Sequence, residues 1–233
     1  MDHAHDPSRR ELFRVSAVTG AGILIGRYAL AAEEEKKDQK KEKDVSPAED
    51  LMREHGLLKR VMLCYDEIAR RVEAKQEASP DALRQCAQII RDFVEDYHEK
   101  LEEQYLFPRF RQANKLVDLV ETLDRQHQAG RKVTDIILQN AALKSDDERQ
   151  QVVRMIREFN RMYAPHEARE DTVLFPAFHE IVSGHEYDAL GEDFEKKENE
   201  KFGEDGFEHM VDKVAGIEKE LGIYDLAQFT PKV

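Results

Sequence analysis

From Ser46 onward, apolar residues recur every three or four positions, the interval of a helix buried along one face. Leu51, Leu58, Met62, Tyr65, Ile68 and Val72 form a first stripe, opened by Ser46-Pro47 as N-cap and first-turn proline. Ser79-Pro80 repeats that start. The second stripe carries Leu83, Ala87, Ile90, Val94, Tyr97, Leu101 and Tyr105, and Pro108 is expected to stop or kink its helix. A third stripe runs from about Leu116 to Ala142 on Leu119, Leu123, Val133, Ile136 and Ile137. Ser145-x-x-Glu148 is a capping box before a fourth, with Val152, Met155, Ile156, Phe159 and Tyr163. Short connections make sequential helices antiparallel neighbours. The expected fold is therefore all-α: an antiparallel four-helix up-down bundle over 46–182, with a helical extension over 183–233. Shorter helices are expected there near 187–201 and 207–221.

Before the bundle the pattern changes twice. Residues 1–31 read as an export signal: Ser8-Arg9-Arg10-Glu11-Leu12-Phe13-Arg14 resembles the twin-arginine signal, an apolar run spans 15–25, and Ala29-Leu30-Ala31 offers a small-x-small cleavage site. That run would rise only ~16 Å as a helix, against roughly 30 Å of bilayer core, so a stable membrane anchor is not expected. The expected location is periplasmic, by a route that carries proteins already folded. Residues 32–45 contain the charge run EEEKKDQKKEKD and read as a solvated linker. The net charge of −13 argues against nucleic acid as a partner. Cys64 and Cys86 permit one disulfide in an oxidising compartment, and two buried thiols fit the sequence equally well.

One phrase is written twice. HEKLEEQYLFPRF begins at His98 and HEAREDTVLFPAF at His166, both reading H-E-x-x-E-[ED]-x-x-L-F-P-x-F. A second pair of contexts matches as well: LMREHGLLKRV around His55 and LDRQHQAGRKV around His127. The domain thus looks like two copies of a helix pair. Residues i and i+4 share a helix face, so His98 with Glu102, and His166 with Glu170, can address one target. In an antiparallel bundle His55 returns to the level of His98, and His127 to that of His166. Any one of these residues alone is more often a surface pair or an ordinary bundle histidine. Their joint occurrence points to a metal site of four imidazoles and two carboxylates. By ligand type this set suits iron, manganese or zinc. The reversed Glu-x-x-His order and carboxylate-rich set of ferritin-like sites are not what stands here. The L-F-P-x-F tails read as structure that closes the bundle, each proline ending a regular turn.

These motifs resemble the hemerythrin-like (HHE cation-binding) family over roughly 47–178, and the GIYDLAQFTP ending is similar to that family's C-terminal extension. The resemblance implies His55, His98, His127 and His166 as terminal ligands, with Glu102 and Glu170 bridging. The metal it implies is two iron ions, oxo- or hydroxo-bridged, with manganese or zinc as the less favoured occupants.

One departure matters. Oxygen-carrying members place a second histidine one turn away on the third helix, whereas Leu123 and Arg131 flank His127 here. Each metal would then keep an open position, which suits peroxide or nitric oxide chemistry. The cluster-repair members carry a cysteine-bearing N-terminal segment that does not match this chain. The expected function is binding or sensing of O2 or NO. An oxidoreductase acting on peroxide or nitric oxide with an electron donor, or a metal-holding domain without redox work, are the alternatives. Helical spacing nominates Leu58, Met62, Val94, Leu101, Phe159 and Met162 as apolar pocket walls, although each also fits an ordinary core position. His179, His185 and His209 fall outside the pattern.

Overall fold

A computed structural model describes residues 45–232. The export signal and nearly all of the linker read from the sequence lie outside the described residues. The described chain is all-helical, and none of its helices is long and apolar enough to cross a membrane.

Helix α1 (Pro47–Glu73) starts where Ser46 Oγ accepts the Glu49 N–H at 3.2 Å, and its buried face includes Leu51, His55, Leu58, Met62, Tyr65 and Ile68. Ser79 caps the next helix by accepting from Ala82 N–H at 3.0 Å. That cap opens one long helical run of changing pitch: α2 (Pro80–Ile89), a π-helical stretch Ile90–His98, α3 (Glu99–Leu101), a second π stretch Glu102–Leu106, and α4 (Phe107–Gln112). After Leu116 in the left-handed region (φ 52°) comes α5 (Val117–Asn140). Ser145 then caps α6 (Asp146–Arg169) by accepting from Glu148 N–H at 3.1 Å. A third π stretch, Glu170–Leu174, passes into α7 (Phe175–Phe178), and α8 (Gly184–Phe202), α9 (Gly206–Glu220) and a 3-10 turn at Leu226–Phe229 complete the chain.

The prolines do not end their helices. Pro108 lacks an N–H and its ring crowds the carbonyl four residues back, so the preceding turn widens instead of breaking. Phe107 N–H reaches back five residues to the Glu102 carbonyl, and Phe175 N–H reaches the Glu170 carbonyl ahead of Pro176. The repeated tail therefore sets a π turn that begins at each repeated glutamate. Sequence periodicity alone cannot show this, because a π turn changes the phase without breaking the run.

Packing forms a ring: α1 lies against α6 and the 80–112 run, and α5 lies against the same two. Phe93, Phe107, Phe110, Phe159, Phe175 and Phe178 are fully buried in this core. Helices α8 and α9 lie on α1, and α9 also on α2. Arg60 fixes α9 through two bonds to Glu218 (2.9 and 2.6 Å), and Ser79 donates to Glu220. Cys64 and Cys86 are both buried free thiols.

Candidate metal centre

The bundle interior should exclude charge, yet His55, His98, Glu102, His127, His166 and Glu170 are each at least 96% buried. Helix α1 supplies His55 and α5 supplies His127. The π turns start at Glu102 and Glu170, one helical step after His98 and His166. The imidazoles meet in two pairs: the Nε2 atoms of His55 and His98 are 3.0 Å apart, and those of His127 and His166 are 3.2 Å apart. Each carboxylate touches both pairs. Glu170 Oε2 lies 3.4 Å from His55 Nε2 and 3.1 Å from His166 Nε2. Glu102 Oε2 lies 3.8 Å from His98 Nε2 and 3.4 Å from His127 Nε2.

No oxygen of Glu102 or Glu170 makes a hydrogen bond of good geometry; the imidazole contacts are what they have. A buried carboxylate left so costs several kcal/mol, so the cavity asks for cations. The donor set fits them. Glu102, His127, His166 and Glu170 form one group able to hold an ion, and His55, His98 and Glu102 form another. The Nε2 lone pairs face inward because every Nδ1 is engaged outward. His55 Nδ1 meets Asp171 at 2.7 Å and His98 Nδ1 meets Glu54 at 2.6 Å. His127 Nδ1 meets Glu103 at 3.2 Å and His166 Nδ1 meets Gln126 at 2.9 Å. Such outer partners fix ring orientation and raise ligand basicity.

These four partners went unnoticed in the sequence, although each is the neighbour of a named residue. Glu54 and Gln126 precede His55 and His127, while Glu103 and Asp171 follow Glu102 and Glu170. The partnership also crosses the repeat, since Asp171 of the second copy serves His55 of the first and Glu103 serves His127. The [ED] in the repeated phrase was the available signal.

Protonation follows from burial and from these contacts. Burial acts to strip the proton from His55, but the Asp171 bond and the Glu170 and Glu102 charges outweigh it and raise His55 to about 9. His127 is likewise raised, against burial, by the Glu99, Glu102 and Glu103 carboxylates. Burial drives His98 and His166 down to about 3. In the metal-free protein one imidazole of each facing pair, His55 or His127, is therefore the one that favours a proton, and its partner disfavours one.

Aromatic rings enclose the cluster, and the two best placed come from the L-F-P-x-F tails. Phe175 stacks on His55 (5.5 Å, 20°), Phe107 stacks on His127 (5.4 Å, 21°), and Tyr163 lies 5.3 Å from His166. Reading the tails as bundle closure alone missed this contact. Of the spacing-derived wall residues, Leu58, Met62, Val94, Leu101 and Phe159 are buried and Met162 is half-buried. Leu101 also borders a cleft of about 300 Å³ with Tyr97, Lys100 and Lys197. His179, His185 and His209 are exposed and join none of the ion-holding groups. His209→Ala should therefore leave metal content at the wild-type level, and metal analysis of that variant checks it.

A buried brace supports the His127 side. Tyr163 donates to Glu99 Oε1 at 2.6 Å, and Arg131 bonds Glu99 and Glu103. Gly130 makes room for the Tyr163 hydroxyl, which stands 2.1 Å from where a Cβ would be. Gly130→Ala should push Tyr163 off Glu99 and cost about 1–3 kcal/mol. Thermal unfolding measures this, and Tyr163→Phe in the same chain should recover part of the loss.

The family described as "Hemerythrin HHE cation binding domain" matches this chain over residues 46–135 and 118–220. Uncharacterized proteins of Mycobacterium bovis and Mycobacterium tuberculosis are 46% identical to it over 231 residues, covering 96% of this chain and 91% of theirs. No solved structure matches the chain. With its His/Glu cluster able to hold a metal ion, the chain belongs to the hemerythrin HHE cation-binding domain family.

Proposed function

We propose that the protein is an exported, periplasmic di-iron protein that binds a small diatomic molecule, O2 or NO, in an antiparallel four-helix up-down bundle. One ion would take His55 and His98, the other His127 and His166, and Glu102 and Glu170 would be shared. The observation that carries this reading is the pair of buried carboxylates without a well-formed hydrogen bond, each lying against one imidazole from both facing pairs. Iron, when bound, supplies the redox-active centre to which O2 or NO can attach. The chain's own residues orient the imidazoles from behind and cover two of them with Phe107 and Phe175, and this buried setting favours a small neutral ligand.

One observation favours an oxidoreductase acting on peroxide or nitric oxide with an electron donor. Arg131, one turn beyond His127, is occupied by Glu99 and Glu103, and Leu123, one turn before it, is apolar, so neither adds a ligand. Each ion would then be held by two imidazoles besides the shared carboxylates, which would leave room for a substrate.

The test is to add O2 or NO to the anaerobic ferrous protein and follow its absorption. A spectral change reversed by removing the gas, without turnover, supports binding. Sustained consumption of peroxide or NO in the presence of a reductant overturns it in favour of the enzyme. A chain that retains only zinc and shows no change would be a metal-holding domain.

A further inference from the structure

We infer that Asp50, Glu54, Glu198 and the Tyr97 hydroxyl form a separate site for a divalent cation that prefers oxygen ligands, outside the histidine cluster. Asp50 and Glu54 stand four residues apart on α1 and so share a face, and Glu198 comes to them from α8. One carboxylate oxygen from each lies within 4.8 Å of the others, close enough to share one ion. Glu54 is the buried floor, while Asp50 and Glu198 are half-buried at the mouth. Glu198 is already held in place, because its Oε1 accepts the Phe207 N–H at 2.5 Å.

The second, independent observation is Tyr97. Its side chain is 97% buried, and its hydroxyl makes no hydrogen bond of good geometry although it lies within reach of Glu54. The hydroxyl lies beside Glu54, and Asp50 and Glu198 are its other acidic neighbours. A buried hydroxyl in that position is a ready neutral oxygen donor.

The charges at the site are poorly balanced. Among the described residues, the cation beside Asp50 is the Arg53 guanidinium, 3.6 Å away, and it is shared with Glu208 at 3.9 Å and leans on the Phe207 ring at 4.5 Å. Burial, then Glu54, pushes Asp50 up to about 7, as expected where like charges crowd together. Three carboxylates and a hydroxyl, with no nitrogen or sulfur donor, suit a hard cation such as Ca2+, Mn2+ or Fe2+. Glu54 also accepts from His98 Nδ1, so this ion would sit one carboxylate away from the histidine cluster. A carboxylate has lone pairs enough for both partners.

The test uses the full chain with the histidine cluster filled by zinc, titrated with Tb3+ while tyrosine is excited. Tyrosine-sensitised emission should saturate at one Tb3+ per chain and be displaced by Ca2+ or Mn2+. Asp50→Asn combined with Glu198→Gln should raise the Tb3+ concentration needed by at least about tenfold, since ligand charge sets affinity at such sites, with zinc content unchanged. Tyr97→Phe should keep the stoichiometry and lose most of the sensitised emission. Absent or non-saturating emission would overturn the inference, as would wild-type binding in the double variant or unchanged emission without Tyr97.

Discussion

Glu170→Ala is expected to strip the centre of metal and to lower the melting temperature of the metal-loaded protein by roughly 10 °C. Glu170 Oε2 is the atom that touches both histidine pairs, so its loss removes a ligand from each half at once. An ion present at a thousand times its dissociation constant stabilises the folded chain by about 4 kcal/mol, and a chain of this size loses about 2–4 °C per kcal/mol. Metal content and thermal unfolding read the result, and full metal content in the variant would sink the assignment. His98→Ala should behave in the same way.

The same carboxylate predicts a reversal once metal is removed. Burial raises Glu170 to about 7, well above the ordinary carboxylate range. Its folded pKa exceeds its unfolded one, so the folded state loses stability as pH rises from about 4.5 towards 7, by about 3 kcal/mol in all. Below that window the cost is absent. In chelator at pH 8, Glu170→Gln should therefore be more stable than the metal-free wild type, although it binds metal far less well.

Metal affinity should depend steeply on pH. His55, raised to about 9, holds a proton between the paired imidazoles, and the proton on His127 plays the same part in the other pair. An arriving ion must displace it, so affinity on the His55 side should fall about tenfold for each pH unit below about 9, and affinity on the His127 side should fall in the same direction. Between pH 8 and pH 6 this amounts to roughly a hundredfold on the His55 side, with a steeper fall below about 7, where Glu170 also takes up a proton. Calorimetry in buffers of different ionisation enthalpy should report about two protons released as two ions bind at pH 8. A pH-independent affinity with no proton release would contradict the protonated-pair description.

Much of this was legible in the sequence because it rests on periodicity and repetition. The Ser-Pro and Ser-x-x-Glu signals give the starts of α1, α2 and α6 to the residue. The doubled H-x-x-x-E and the two matched histidines name residues that the structure gathers into one buried cluster. What escaped notice depends on geometry without a period. The π turns before Pro108 and Pro176 shift the phase of their helices, and that shift belongs to the turn from which Glu102 and Glu170 project. Phe107 and Phe175 stack across the repeat on the other copy's histidine, a relation that only three-dimensional packing reveals. The role of Gly130 is similar, for nothing local in Ala129-Gly130-Arg131 announces that a tyrosine from α6 needs the space.

The central claim is that the cluster holds two ions sharing Glu102 and Glu170, and iron quantification per chain tests it most directly. The full-length protein, loaded anaerobically with ferrous iron and freed of excess by gel filtration, should retain two irons per chain, and Glu170→Ala should retain almost none. Retention of one iron or none by the wild type, or equal retention by wild type and variant, would contradict the account.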